Sequence, residues 1–398
     1  MKSLHPGAVR LAYRSGLSMV LALTVGQSAF SQTRAQPKQG TVERIKVHGK
    51  SLEGNLEGDS PDRDVFVYLP PSYASNRNQR YPVVYLLHGY GLTAERWMPF
   101  GHLAEAADND IAAGTMKEMI LVNPDAFTKY SGSMYSSSPT TGDWETYIAE
   151  DLVAYVDSHY RTIADRMSRG LGGHSMGGYG TIRIGMKRPD VFSSLAIMSA
   201  CCLMNNPGGG GNRGAGNRGD GARGARGDAA PSAANPPVAN SGTAPANPTD
   251  AARGDGNRGQ GRGNRGAGGF GNVQSAEAAA WSSNPKNPPL FFDLPVKDGQ
   301  PQPLVVAKWV ANSPLAMIDQ YITNLKKYHA IMGEVGTEDG LAAANRQLDQ
   351  VLTDFGVAHT FETYEGNHTN RVPQRFEQKV LPFFSDNLSS AKPKRASK

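Results

Sequence analysis

Apolar residues follow two rhythms along this chain, and the way those rhythms alternate predicts its architecture. From Thr41 to Glu57 polar and apolar positions alternate weakly, as edge strands do. Val65-Phe66-Val67-Tyr68-Leu69 is β-rich and is stopped by Pro70-Pro71. Tyr81-Pro82-Val83-Val84-Tyr85-Leu86-Leu87 is apolar almost throughout, which predicts a strand covered on both faces. Met119-Ile120-Leu121-Val122 repeats that pattern. Ile148, Leu152, Tyr155 and Val156 sit at helical spacing and predict a helix within 143–160. A short strand before Gly173 leads through Ser175 into a helix containing Ile182, Ile184 and Met186, and Leu195 to Met198 is the next strand. Further on, the pattern predicts a helix over 313–327, a strand over 330–333, a helix over 340–355, a strand over 359–364 and a last helix over 371–386. Strands alternating with helices predict an α/β fold with a mostly parallel central sheet and helices on both faces.

Three stretches fall outside these rhythms. Residues 205–272 hold 20 of the chain's 46 glycines, with Val238 and Phe270 as their only large apolar side chains. Such a segment cannot bury enough surface to offset its ordering entropy, so it is expected to be a disordered insert. At the N-terminus Lys2, Arg10 and Arg14 precede the apolar run Leu17 to Val25, and small residues follow at Ala29 and Ser31. That order predicts a secretory signal over 1–31, cut after Ser31 or less neatly after Ala35, and a secreted or periplasmic protein. The run is too short for a permanent membrane anchor, and no second stretch is long enough for a membrane span. Residues 389–398 form a basic tail. Residues 32–204 and 273–388 then compose one domain of roughly 300 residues.

Charge and cysteine narrow the function classes. The formal net charge is +5, but the leader, the insert and the tail carry more than all of it and leave the folded remainder at −6. The basic balance therefore gives no reason to expect a nucleic acid partner. The Arg-Gly repeats of the insert lack the interleaved aromatics that stack on bases. Its three Arg-Gly-Asp triplets, at 218–220, 226–228 and 253–255, are what a Gly-, Arg- and Asp-rich composition supplies anyway. The only cysteines, Cys201 and Cys202, are adjacent; they close no loop, their bridge would be a strained ring, and two small buried thiols ending a strand are expected. No metal-ligand spacing accompanies them, and no metal or organic cofactor is expected.

Gly173-His174-Ser175-Met176-Gly177 carries the chemistry. A G-x-S-x-G between a strand and a helix is the tight turn that holds a serine hydroxyl clear of the sheet edge, and its glycines are needed where a Cβ would strike a neighbouring element. A serine hydroxyl is a poor nucleophile until a base accepts its proton, and histidine is the suitable base near neutral pH. With such a turn the chain order is Ser, acid, His, which restricts the base to His329, His359 and His368. His329 begins a strand and His359 lies within one. His368, in the loop Glu365-Gly366-Asn367-His368-Thr369, is the expected base. The acid must follow the strand ending near Val335, where Gly336-Thr337-Glu338-Asp339-Gly340 offers Glu338 and Asp339. Backbone amides of Met176 and of Tyr90, in His88-Gly89-Tyr90-Gly91, are the expected oxyanion donors. Trp97, Tyr130, Tyr135, Trp144 and Trp309 are available either for an aromatic cleft or for packing.

Val67-Tyr-Leu-Pro-Pro-Ser-Tyr73, Tyr81-Pro-Val-Val-Tyr-Leu-Leu-His-Gly89 and Gly173-His-Ser-Met-Gly-Gly-Tyr-Gly180 together resemble the esterase D / feruloyl esterase-like family of α/β-hydrolases. The resemblance runs over about 42–386, interrupted by the insert, and implies the α/β-hydrolase fold and hydrolysis of a carboxylic ester through an acyl-enzyme. The family's Gly-Thr-x-Asp maps onto Gly336 to Asp339 and implies Asp339 as the acid beside Ser175 and His368. Its usual Trp after Gly-x-His is Thr369 here. The expected partner is a small-molecule or carbohydrate-linked ester, feruloyl and acetyl groups among the acyl candidates. The alternatives are acyl transfer to an alcohol, or a non-catalytic surface binder using its Arg-Gly-Asp insert.

Overall fold

The computed structural model describes residues 39–204 and 273–391, which fall in one compact unit. The expected signal, the insert with its Arg-Gly-Asp triplets and most of the basic tail lie outside the described residues.

Eight strands form the central sheet: β1 (Thr41–His48), β2 (Asp62–Leu69), β3 (Val83–Leu87), β4 (Ile120–Pro124), β5 (Arg169–His174), β6 (Ser194–Met198), β7 (Ala330–Gly336) and β8 (Thr360–Tyr364). Their spatial order is β1-β2-β4-β3-β5-β6-β7-β8. The first two pairings, β1 with β2 and β2 with β4, are antiparallel; all later ones are parallel. This is the mostly parallel sheet that the residue pattern predicts. The α/β-hydrolase fold is the architecture of this chain.

Alternation along single strands builds two cores. Val83, Tyr85 and Leu87 of β3 join Val65, Val67, Leu171, Leu195 and Ile197 on one face. Val84 and Leu86 point the other way, to Tyr68, Leu121, Trp97, Phe376 and Phe384. Both faces are covered, which is why every residue of β3, β4 and β6 is buried. The flanking helices include α1 (Ala94–Phe100), α2 (Leu103–Ala113), α3 (Leu152–His159), α4 (Met176–Lys187), α5 (Val273–Trp281), α6 (Pro303–Ala311), α7 (Ala342–Asp354) and α8 (Leu381–Asn387). Among the described residues no helix is long and apolar enough to cross a membrane.

Several boundaries differ from expectation. The first strand ends at His48, because Gly49 begins a single 3₁₀ turn over Lys50–Leu52. The helix expected at 313–327 is broken into Pro314–Met317, a 3₁₀ turn Ile318–Tyr321 and Ile322–Leu325. The two helices at 144–159 and 372–387 each contain a π-helical turn, at Tyr147–Asp151 and Phe376–Val380. Trp97, Tyr130, Tyr135, Trp144 and Trp309 are all buried in the packing of the described residues.

Candidate active site

β5 ends at His174, and α4 begins at Met176. Between them Ser175 takes φ 60° and ψ −114°, a conformation that costs a non-glycine residue on the order of 1–3 kcal/mol. The surroundings hold it there. Its N–H donates to the Met198 carbonyl at 3.0 Å, and its own carbonyl accepts from Tyr179 and Cys201 at 3.0 and 3.1 Å. A Cβ on Gly177 would lie 2.0 Å from the Leu87 carbonyl oxygen, and one on Gly173 would lie 2.6 Å from the Gly177 oxygen. Both clashes are with backbone atoms that cannot swing aside, so the turn closes only with glycine at these positions. The N-terminus of α4 then points its partial positive charge at the space above the hydroxyl.

Three side chains from three different loops meet at this turn. The Ser175 hydroxyl lies 2.9 Å from His368 Nε2, and His368 Nδ1 lies 2.8 Å from Asp339 Oδ2. His368 stands in the loop after β8 and Asp339 in the loop after β7, both at the carboxyl edge of the sheet beside the end of β5. The network assigns the proton of His368 to Nδ1, leaving Nε2 to accept from the serine. Asp339 is buried, which disfavours its charge. The hydrogen bond and charge of His368, the Leu341 amide and the Ser199 hydroxyl outweigh that cost and hold the carboxyl below its ordinary value. The Leu341 amide donates to Asp339 Oδ1 at 2.9 Å. Glu338, the other candidate, is exposed at the same turn; its amide donates to the Gly366 carbonyl. Of the three histidines considered, His359 instead reaches Asp349 at 2.9 Å, and His329 pairs through its backbone amide with Ser193.

Met176 and Tyr90 lie beside this turn, and their amides donate to no acceptor among the described residues. Gly89 lets the Tyr90 loop lie against Ser175: a Cβ there would be 3.5 Å from the Ser175 Cβ. The loop is splinted by the fully buried His88, whose Nδ1–H donates to the Gly89 carbonyl at 2.9 Å while its Nε2 accepts from the Ala126 amide at 2.8 Å. Burial lowers the pKa of this imidazole, which serves as a neutral strut.

A second histidine was invisible to sequence reasoning as a working part. His174 is buried, and its Nε2 lies 2.7 Å from the backbone carbonyl oxygen of His368. A carbonyl can only accept, so this nitrogen carries the proton. Burial first, then the neighbouring His368, push the His174 pKa down to about 3, so the ring is neutral. The two imidazoles lie 4.6 Å apart by ring centroid, and Trp97 stacks on His174 at 6.3 Å. The sequence signal was the x of G-x-S-x-G, but nothing local says what stands opposite it.

Among the described residues no cluster of three His, Cys, Asp or Glu side chains is arranged to hold a metal ion.

A family model described as putative esterase matches residues 60–379. Over 136 residues the chain is 32% identical to an endo-1,4-beta-xylanase/feruloyl esterase of Xylanibacter ruminicola, a match spanning 33% of this chain and 19% of that protein. It is 33% identical over 136 residues to an esterase of Mycobacterium tuberculosis, spanning 34% of this chain and 28% of that protein. The chain thus covers well under half the length of these relatives. Among solved structures, a ferulic acid esterase superposes with a TM-score of 0.55 at 20% identity, covering 88% of this chain and 99% of that one. At that identity the likeness concerns the fold.

Proposed function

Because the chain belongs to the putative esterase family, we propose that it is a serine carboxylic ester hydrolase working through an acyl-enzyme, with Ser175 as nucleophile, His368 as general base and acid, and Asp339 as the residue that orients His368. The observation that carries this reading is the unbroken relay from Ser175 through His368 to Asp339, at 2.9 and 2.8 Å. His368 Nε2 takes the hydroxyl proton as Oγ attacks the ester carbonyl, and Asp339 stabilises the imidazolium that forms. The amides of Met176 and Tyr90 donate to the oxygen as it becomes an oxyanion. Each such donor is worth about 10²–10³ in rate. The alcohol leaves with the proton from His368, and a water activated by the same Nε2 releases the acid.

The substrate class we propose is a small acyl ester carried on a carbohydrate or small molecule, with feruloyl and acetyl groups as first candidates. The likeness to the xylanase/feruloyl esterase supports that choice. The predicted leader over 1–31 supports a place of action outside the cytoplasm. The test is hydrolysis of a chromogenic acetyl ester and of a methyl hydroxycinnamate by the wild type and by Ser175→Ala. The variant should lose at least about 10⁴-fold in kcat while keeping its fold by circular dichroism. A variant that keeps its rate would end the reading. Transfer to an added alcohol in preference to water would replace hydrolysis by acyl transfer.

A further inference from the structure

Three and four residues beyond the end of β6, Cys201 and Cys202 sit against the Ser175 turn at half-buried positions. Their sulfurs are immediate neighbours, and both are free thiols. Cys202 takes a left-handed φ of 58°, and Ser199, three residues earlier, one of 43°. The segment between them is pinned: Asn345 exchanges hydrogen bonds with both the amide and the carbonyl of Ala200 at 3.0 Å, and the Cys201 amide donates to the Ser175 carbonyl. Glu277, on α5, brings Oε1 to 3.5 Å from Cys202 Sγ. Two thiols, one carboxylate and a fixed backbone therefore converge at one place that the proposed hydrolysis does not use.

We propose that Cys201 and Cys202 are a modification site, a dithiol that a peroxide converts reversibly into a bridge between neighbouring residues. One thiol sulfur displaces water from the peroxide and becomes a sulfenic acid. The second sulfur displaces the hydroxyl of that sulfenic acid as a second water. Two S–H bonds are lost, one S–S bond forms, and the two electrons removed from sulfur reduce one peroxide to two waters. The order follows from the surroundings. Cys202 has the Glu277 carboxyl 3.5 Å away to take its proton as it attacks second, which leaves Cys201 to meet the oxidant first. Glu277, whose carboxyl burial pushes up to about 7, is placed to accept the Cys202 proton in the second step. Adjacent Cα atoms are about 3.8 Å apart across a trans peptide, below the usual span of a disulfide, so the closed ring is strained. Strained bridges are the readily reduced ones, which suits a reversible modification and not a structural staple. The left-handed Cys202 and the pinned Ala200 already hold the sulfurs face to face, so closing the ring costs little further ordering.

The experiment reads thiols and not turnover, so its failure leaves the hydrolase reading standing. The full-length protein is treated with hydrogen peroxide at equimolar steps, alkylated with N-ethylmaleimide and weighed intact. The expected product has lost two hydrogens, takes up no alkylating agent, carries the bridge within a single tryptic peptide, and regains two alkylatable thiols with dithiothreitol. Cys201→Ser and Cys202→Ser should each give a sulfenic acid or a linked dimer in place of that product, and Glu277→Gln should slow the second step at least several-fold. Stepwise oxygen addition to both sulfurs, a bridge between two molecules, or two thiols left alkylatable after a molar excess of peroxide would each overturn the proposal.

Discussion

Replacing Asp339 by Asn changes one atom's hydrogen-bonding sense and tests the whole relay. In the wild type Asp339 Oδ1 accepts from the Leu341 amide at 2.9 Å and Oδ2 accepts from His368 Nδ1 at 2.8 Å. Asn keeps the shape, and its oxygen still suits the Leu341 amide. Its –NH₂ then faces His368 Nδ1 and donates to it. The imidazole must accept there and carry its proton on Nε2. That nitrogen, 2.9 Å from the Ser175 hydroxyl, now presents a proton where the base must present a lone pair. Inverting the tautomer in a relay of this kind lowers kcat by about 10⁴, or roughly 5 kcal/mol of transition-state stabilisation. The expected result for Asp339→Asn is that fall in kcat with KM within about threefold, read as initial rates on a chromogenic ester. The melting temperature near neutral pH should fall modestly, because the charged partner of His368 is lost, while the far-ultraviolet circular dichroism spectrum stays that of the wild type. Glu338→Gln, at the exposed neighbouring position, should keep the wild-type rate. A tenfold loss or less in Asp339→Asn, or a large loss in Glu338→Gln, would refute the assignment of the acid.

Other outcomes follow from the same geometry. His174 is a positioning residue: His174→Phe keeps a ring but loses the donor to the His368 carbonyl, and kcat should fall about tenfold with KM unchanged and the acid limb of the kcat/KM profile displaced. His174→Gln, which can restore an N–H near the same place, should recover most of that loss; if Phe and Gln behave alike, the hydrogen bond is not what orders the loop. Glu57 is 9% exposed, and among the described residues no hydrogen-bond donor meets either of its carboxylate oxygens. Burial first, then Asp59, push its pKa from 4.5 up to about 9. The folded state therefore binds the proton more tightly than the unfolded chain, so stability is fullest below the unfolded value of 4.5 and falls as pH rises towards 9. Glu57→Gln should raise the unfolding free energy by about 2 kcal/mol at pH 7 and change it little at pH 4, measured by urea melts; equal effects at both pH values would contradict this. Asp339 runs the opposite way: its lowered pKa adds stability above the ordinary carboxylate value and loses it as pH falls through the lowered one, so Asp339→Asn should flatten the acid limb of the stability curve.

How much of this was legible in advance depends on how local each constraint is. The order of strands and helices, the covered sheet and the glycine-flanked turn at Ser175 could be read from residue spacing, because periodicity and glycine sterics act over a few neighbours. The same holds for the short list of acids and bases, since chain order limits which residues can arrive at one sheet edge. Helices α1 and α2 did not stand out, because Pro99, Gly101 and a left-handed His102 interrupt their pattern within a few residues. The choice of Asp339 over Glu338 rested on a family likeness, and the tertiary structure alone placed Oδ2 against His368 and left Glu338 exposed.

By itself, then, the sequence determined the architecture and which residue types could meet at the carboxyl edge of the sheet. Only the folded chain decided that His174 braces a carbonyl 194 positions away, that His88 splints the Tyr90 loop across 38 positions, that the large aromatics are buried in the packing, and that two neighbouring thiols face each other beside Glu277. The physical reason is that a buried imidazole or thiol acquires its role from whatever group packs opposite. That partner is chosen by the close fit of distant segments, which no local pattern records.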